Sequence, residues 1–455
     1  MYVLSPDVKI RKEKYGGIAF SNTYGAFFDI NKSALNILEY FQEPISELNL
    51  QKIATDLHMP VDDLSEFLQS ATGKGLILII EDKNLINRHG IIIDNKSYNN
   101  DHLSFPIELV YYITNRCNQR CPFCYNANYR EQSNREELNY NLFYKSIKEA
   151  KECGGFSIGI MGGEPMLNYE FIKAALREIN DEMNVDITTN GTVGGGINEE
   201  QVSLFSKYKN ININISIHGL NENEHDKQVG SKGSFNKAIE SIKTLVKNKI
   251  KVNINYLATA SNINSVYGLA IAMKSMGVSS FELLYPMPYY GQKIVEYLRL
   301  LPNSSQYHSV ILKLIEIADA SFKITYNSNY LFLENPEYKL PIDNTSLLYH
   351  ASKCAAGNIR VNVMPNGDVF TCPITIGIEN YKIGNIKTDS LYSIWNSQNL
   401  SFFRKRAPEL LQNMTCKTCD FKNTCIGGCP IVAEIFGESS YSGDPRCNKI
   451  TRSIL

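Results

Sequence analysis

Ten of the eleven cysteines in this 455-residue chain fall into two arrays with metal-ligand spacing. The first is Cys117-x3-Cys121-x2-Cys124. The second opens with Cys354 and Cys372, becomes dense at Cys416, Cys419, Cys425 and Cys429, and closes with Cys447; Cys153 stands apart. Thiolates at short, fixed separations form a soft cage suited to iron–sulfur clusters or zinc, so the loops that carry them must converge. The odd number of cysteines in a large chain points to metal or catalysis rather than disulfides.

Composition narrows the partners. Lys+Arg 46 against Asp+Glu 47 leaves a net charge of -1, with no global basic field to hold nucleic acid. The opening residues MYVLSPDVKIRKEK lack the apolar stretch of a signal peptide, and the longest aliphatic run, 76–80, is too short to cross a bilayer. The expectation is a cytoplasmic chain with neither nucleic acid nor membrane as partner. At 43% hydrophobic the chain can bury the cores of about two to four domains.

Residues 1–95 read as a small α+β unit. Short strands at 8–12, 18–21 and 26–30 precede a helix from Lys32 capped by Asn31, a second around Leu50–Leu57 and a third from Pro60. Stretches 76–80 and 90–94 are expected to form a wing, which makes the unit winged-helix-like. A polar linker, 95–101, follows. Strands at 107–114, 156–160, 185–189, 211–217, 251–259 and 280–285 then alternate with amphipathic stretches at 141–151, 170–181, 234–247 and 264–276. Repeated βα units with right-handed crossovers give a parallel sheet or barrel. The fold class expected is α/β: a partial (β/α)6 TIM barrel over 106–300, a helical connector over 301–345, and a cysteine-rich domain over 346–455.

The first array lies just after the first barrel strand, where loops carry active-site residues. Three thiolates can hold three irons of a [4Fe–4S] cube and leave the fourth open to a ligand. A structural zinc completed by a distant histidine is the alternative. Cys117, Cys121 and Cys124, with Phe123 and Tyr125 beside the last, and Gly162-Gly163-Glu164-Pro165 after the second strand, resemble the radical S-adenosylmethionine (SAM) superfamily. The resemblance implies that SAM chelates the open iron and that the Gly162–Pro165 backbone and the Glu164 carboxylate hold its ammonium. It further implies that Asn190 and Ser216, at the ends of the third and fourth strands, touch SAM. Relatives often carry arginine where this chain has Val229, so Lys227 or Lys232 is a candidate substitute for that carboxylate contact.

The second array, with Gly367 between its first two members, resembles the seven-cysteine SPASM domain. That resemblance implies two auxiliary [4Fe–4S] clusters, three clusters in all. Cys416, Cys419, Cys425 and Cys447 would serve one, and Cys354, Cys372 and Cys429 the other. Seven thiolates cannot fill eight positions, so the last is open or taken by a group such as His350. Taken alone, Cys416–Cys429 could also be a zinc ribbon.

The third N-terminal helix carries Asp62, Asp63 and Glu66, with no Lys or Arg before Lys74, so phosphate would repel it. With Phe28-Asp29-Ile30-Asn31, the unit instead resembles the recognition element for ribosomally made, modified peptides. This implies that a precursor's leader adds as a strand along 26–30. The expected function is a peptide maturase that cleaves SAM with an electron from flavodoxin or ferredoxin. Its 5′-deoxyadenosyl radical takes a hydrogen and a thioether forms, as in sactipeptide and ranthipeptide enzymes. Alternatives are carbon–carbon cross-linking, epimerisation, decarboxylation, sulfatase maturation, or a non-enzymatic zinc-ribbon adaptor.

Overall fold

The computed structural model of the chain describes residues 1–21, 26–82, 90–94, 102–127, 136–289, 291–326, 354–437 and 439–451. The expected linker 95–101 and His350 lie outside the described residues.

The N-terminal unit contains the anticipated strands and helices. β1 (Tyr2–Leu4) is followed by β2 (Val8–Glu13), β3 (Gly16–Ser21) and β4 (Ala26–Asn31), then α1 (Lys32–Tyr40), α2 (Leu50–Asp56) and α3 (Val61–Gly73). Asn31 caps α1 as expected, its Oδ1 accepting from Ala34 N at 2.8 Å. Leu64 and Leu68 of α3 are buried against Leu35, Leu38 and Ile53. The wing, however, does not form as a hairpin. β5 (Ile77–Ile79) pairs antiparallel with β1, whereas β6 (Ile91–Ile93) runs parallel to β2 in another sheet. Both neighbouring strands come from the first thirteen residues, so the competing partners of 76–80 and 90–94 are remote in sequence. The four-stranded sheet has the order β4-β3-β2-β6, which leaves β4 at an edge among the described residues.

The six strands expected of the barrel form as β7 (Glu108–Tyr112), β8 (Ser157–Met161), β9 (Asn184–Thr189), β10 (Ile211–Ser216), β11 (Lys251–Leu257) and β12 (Ser280–Leu284), within one large parallel sheet. The sheet is larger than expected. It has the order β13-β12-β11-β10-β9-β8-β7-β14-β15-β16, ten strands, and every pairing from β13 to β14 is parallel. β13 (Lys323–Tyr326) comes from the stretch expected to be a helical connector, after the helix Ser304–Glu316. β14 (Arg360–Val363), β15 (Asp368–Phe370) and β16 (Gly384–Asn385) come from the cysteine-rich region, so that region continues the same sheet.

Alternation along the strands decides what lies inside. In β10, Ile211, Ile213 and Ile215 are buried in the same core as Ala238 and Ile242 of the helix Ser234–Lys247. Their neighbours Asn212, Asn214 and Ser216 share the opposite face. Amides bridge that face: Asn212 Nδ2 donates to Asp186 Oδ1 at 3.1 Å, and Asn253 Nδ2 to Asn214 Oδ1 at 2.8 Å. A parallel sheet with both faces packed is apolar on both; here the inner face is polar and hydrogen-bonded.

The three regions are pinned together. Arg11 of β2 is fully buried; it bonds Glu13 at 2.8 Å and donates to Gly154 O at 3.0 Å and Pro106 O at 3.2 Å. On the other side, the Glu149 carboxylate of helix Tyr140–Glu152 accepts from Leu391 N and Tyr392 N at 2.9 and 2.8 Å. Trp395 Nε1 donates to Leu103 O at 2.6 Å.

Candidate functional site

Two loops at the carboxyl ends of β7 and β8 lie against each other. Gly163 N donates to Thr114 O and Glu164 N to Arg116 O, both at 2.7 Å. A Cβ at Gly162 would sit 2.3 Å from Thr114 O, and one at Gly163 2.2 Å from Arg116 O. Only glycine permits so close an approach. The GGEP segment is therefore the wall against which residues 114–116, leading into Cys117, are held.

Glu164 itself is turned inward, 1% exposed. Its Oε1 accepts from Met166 N at 3.0 Å and Thr189 Oγ1 at 2.6 Å, and its Oε2 from Asn190 N at 2.7 Å. Burial pushes this carboxyl above its usual range, and the three donors oppose that. The Glu164 carboxylate thus also serves as a clamp joining the loops after β8 and β9. Pro165 begins the short 3-10 helix that Glu164 caps.

Asn190 is also drawn into the scaffold. Its Nδ2 donates to Asn118 Oδ1 at 2.7 Å, its Oδ1 accepts from Thr192 Oγ1, and Asn118 Nδ2 donates to Thr192 Oγ1 at 2.9 Å. Gln119, 4% exposed, donates from Nε2 to Ser234 Oγ at 3.3 Å. Asn118 and Gln119 sit between Cys117 and Cys121, positions that thiol spacing alone leaves free. Their role was unread because their partners lie more than seventy residues away.

Ser216 stands half-buried at the end of β10, level with Asn255. Phe123 meets His218 edge-on, ring centroids 5.1 Å apart. His218 Nδ1 accepts from Leu257 N at 3.1 Å, which leaves the proton of the neutral ring on Nε2. Burial drives His218 down to about 3. Tyr125 turns toward the cysteine-rich region: its hydroxyl meets Tyr112 OH at 2.8 Å, and both rings pack with Phe370 and Met364. Val229 is buried and its carbonyl accepts from Arg120 N at 3.0 Å, whereas Lys227 and Lys232 are exposed.

One buried group tests whether this region suits a cofactor. Asn126, two residues after Cys124, is 3% exposed, and both its amide oxygen and nitrogen are buried without a partner. Such an orphan amide costs about 1–3 kcal/mol and is met where a bound group completes the site. Three thiols and an orphan amide fit an iron–sulfur cluster with its ligand.

None of the cysteines is in a disulfide. Cys354, Cys372 and Cys429 pack around Ala356, Ile374, Phe403, Ile431 and Val432. Burial raises all three thiols, Cys354 to about 11, and their mutual charges add to this for Cys354 and Cys372. Cys416 and Cys447 pack with Leu411 and Ile450. Burial lifts Cys416 to about 11, followed by the charges of Cys447 and Cys419; Cys425, also about 11 through burial, feels Cys447 and Cys416. These thiols gain from metal binding, which supplies the charge that stabilises thiolate. Among the described residues no three such side chains close around a single ion. Cys153 ends the helix Tyr140–Glu152 and is raised to about 11 by burial.

Residues 111–263 match the family model of the radical SAM superfamily, and residues 354–420 that of an iron-sulfur cluster-binding domain, SPASM. Curated proteins similar to the chain include the PqqA peptide cyclase of Granulibacter bethesdensis, 23% identical over 347 residues, with 75% of this chain and 87% of that protein covered. The PqqA peptide cyclase of Methylorubrum extorquens is 23% identical over 76% of this chain and 86% of its own. Among solved structures, Streptococcus suis SuiB bound to precursor peptide SuiA aligns with a TM-score of 0.72 at 22% identity, covering 98% of this chain and 100% of that one. Native anSMEcpe with bound AdoMet aligns at 0.58 and 18% identity, covering 77% and 95%. These structures share the fold. Among the described residues no helix is long and apolar enough to cross a membrane.

Proposed function

We propose that this chain, a radical SAM enzyme with a SPASM iron–sulfur domain, is a maturase that installs a thioether in a ribosomally made precursor peptide. The observation that carries the proposal is the close packing of Thr114 and Arg116, which lead into Cys117, on Gly162 and Gly163 at the carboxyl ends of the parallel strands.

Cys117, Cys121 and Cys124 would hold one [4Fe–4S] cluster with SAM on its open iron. Phe123, Gly162, Gly163, Pro165 and Ser216 would line that site, while Glu164, Asn190 and Tyr125 hold its walls in place. When bound, the cluster and SAM supply a 5′-deoxyadenosyl radical able to remove an unactivated hydrogen. The chain's own task is positioning and exclusion of water. Cys416, Cys419, Cys425 and Cys447 would hold one auxiliary cluster and Cys354, Cys372 and Cys429 a second, three clusters in total. Seven thiolates for eight positions leave one for a non-cysteine ligand or the peptide's own thiolate, which favours a sulfur-to-carbon link.

The leader would add to the β4 edge, Ala26–Asn31, with α3 as the other wall. Because Arg11 and Glu13 lock the unit to the barrel, the leader would be held by a fixed platform, and only the core peptide moves. That raises the core's effective concentration at the barrel mouth. The electron would come from a flavodoxin or ferredoxin.

Anaerobic incubation with SAM, a reductant and a precursor peptide encoded beside the gene tests this. Mass spectrometry should show loss of two hydrogens per link, and the linked cysteine should resist alkylation. The similarity to PqqA peptide cyclases supports a second reading, a bond that does not use sulfur. Loss of two hydrogens with every cysteine still alkylatable would decide for it.

A further inference from the structure

The two C-terminal cysteine sets meet at one turn, which gives Cys425 to one set and Cys429 to the other. Its backbone is unusual: Ile426, Gly427 and Gly428 all have left-handed φ, at 50°, 74° and 78°. For Ile426, a β-branched residue, that conformation is disfavoured and must be held by its surroundings.

Arg406 holds it. Its Nη1 donates to Gly428 O at 2.8 Å and its Nη2 to Ile426 O at 2.5 Å. The guanidinium thus spans the turn from the residue after Cys425 to the residue before Cys429. Its Nε is buried with no partner. Charges on Cys429, Cys354 and Cys425, members of both sets, act on it. No ion pair neutralises it among the described residues. A second buried arginine nearby is different: Arg446 is bound to Asp444 through both Nε and Nη2. Asp444 also accepts from Cys429 N at 3.0 Å. One guanidinium beside these thiols is therefore compensated and the other is not.

We propose that Arg406 is a positioning and charge-tuning residue shared by both auxiliary iron–sulfur sites, fixing the 426–428 turn and making at least one of them easier to reduce. The inference rests on the proposed reading that these cysteine sets hold clusters. A thiolate-ligated cube is anionic and gains a negative charge on reduction, so a desolvated cation beside it favours the reduced state. The free Nε–H also faces inside the protein, where a thiolate or sulfide is the acceptor chemistry that the surrounding cysteines provide.

The test compares full-length wild-type protein, Arg406→Gln and Arg406→Lys after anaerobic reconstitution. Iron per chain is measured first. Potentiometric titration followed by electron paramagnetic resonance then follows the signals that do not respond to added SAM. The expected result is unchanged iron in all three, a lower potential for at least one such signal in Arg406→Gln, and a potential near wild type in Arg406→Lys. Unchanged potentials in an iron-replete Arg406→Gln overturn the proposal, as does an equal drop in both variants. If Arg406→Gln fails to keep its iron, Arg406→Lys decides: wild-type iron and potential uphold the role, and any lowered potential overturns it. Wild-type protein with iron for one cluster only would instead overturn the cluster reading beneath it.

Discussion

Thr189 Oγ1 donates to Glu164 Oε1 at 2.6 Å, joining the ends of two neighbouring barrel strands beneath the first cysteine loop. The same carboxylate takes the backbone N–H groups of Met166 and Asn190. Glu164→Gln keeps the shape but turns an acceptor oxygen into a donor, leaving at least one buried donor unmet. The expected cost is about 1–3 kcal/mol of stability, with SAM binding weakened about tenfold as the loop loosens. Urea unfolding and calorimetric titration of SAM check this. Wild-type values for both would mean the clamp does nothing.

Arg11 is the pin between the N-terminal unit and the large parallel sheet. Besides its bonds to Glu13, Pro106 and Gly154, it lies over the Phe156 ring at 5.3 Å. Arg11→Met leaves Glu13 buried without its cation, a loss of about 3–5 kcal/mol. Hydrogen exchange should rise across Val8–Glu13 and at the start of β8, while the far strands β11 and β12 stay protected. Uniform exchange throughout the chain would show global unfolding and no local pin.

His218 and His225 form a buried stacked pair, and His218 N donates to His225 Nδ1 at 3.1 Å. Burial lowers His218 to about 3 and His225 to about 4, from an ordinary 6.5, so both are neutral in the fold. The unfolded chain takes up their protons below pH 6.5, so their contribution is full above that value and is lost as pH falls toward 4 and then 3. Between pH 7.5 and 5 the loss should be roughly 2 kcal/mol per histidine. Chemical denaturation across that range should give a shallower fall for His225→Gln than for wild type. Parallel curves would place the pH dependence elsewhere.

The two cysteine arrays should separate by function. Cys117→Ala is expected to abolish SAM cleavage, whereas Cys372→Ala should retain cleavage while losing the linked peptide. Chromatographic assay of 5′-deoxyadenosine beside mass spectrometry of the peptide distinguishes them. Identical loss of both activities in both variants would contradict the division of roles.

Much of the site was legible without a structure. Cys117-x3-Cys121-x2-Cys124 and the GGEP segment are local patterns, and local patterns report which residue types must share a loop. Asn31 was readable as a cap because the N–H group it accepts from, that of Ala34, lies three residues away. The polar inner face of the sheet is written in the alternation Ile-Asn-Ile-Asn-Ile-Ser of β10.

The chain's sequence alone determined the cysteine spacing and the six central strands, because each shows in residue patterns only a few positions long. Only tertiary structure decided that Glu164 faces inward, that Asn190 binds Asn118, and that β5 leaves β6 to pair with β1. It also added β13 and β14 to the large parallel sheet and set Arg406 across the turn between two cysteine sets. In each case several partners were chemically equivalent, and burial at a particular point in the fold selected one. A buried donor, acceptor or charge must be met by whatever the fold brings near, and that choice has no local signature.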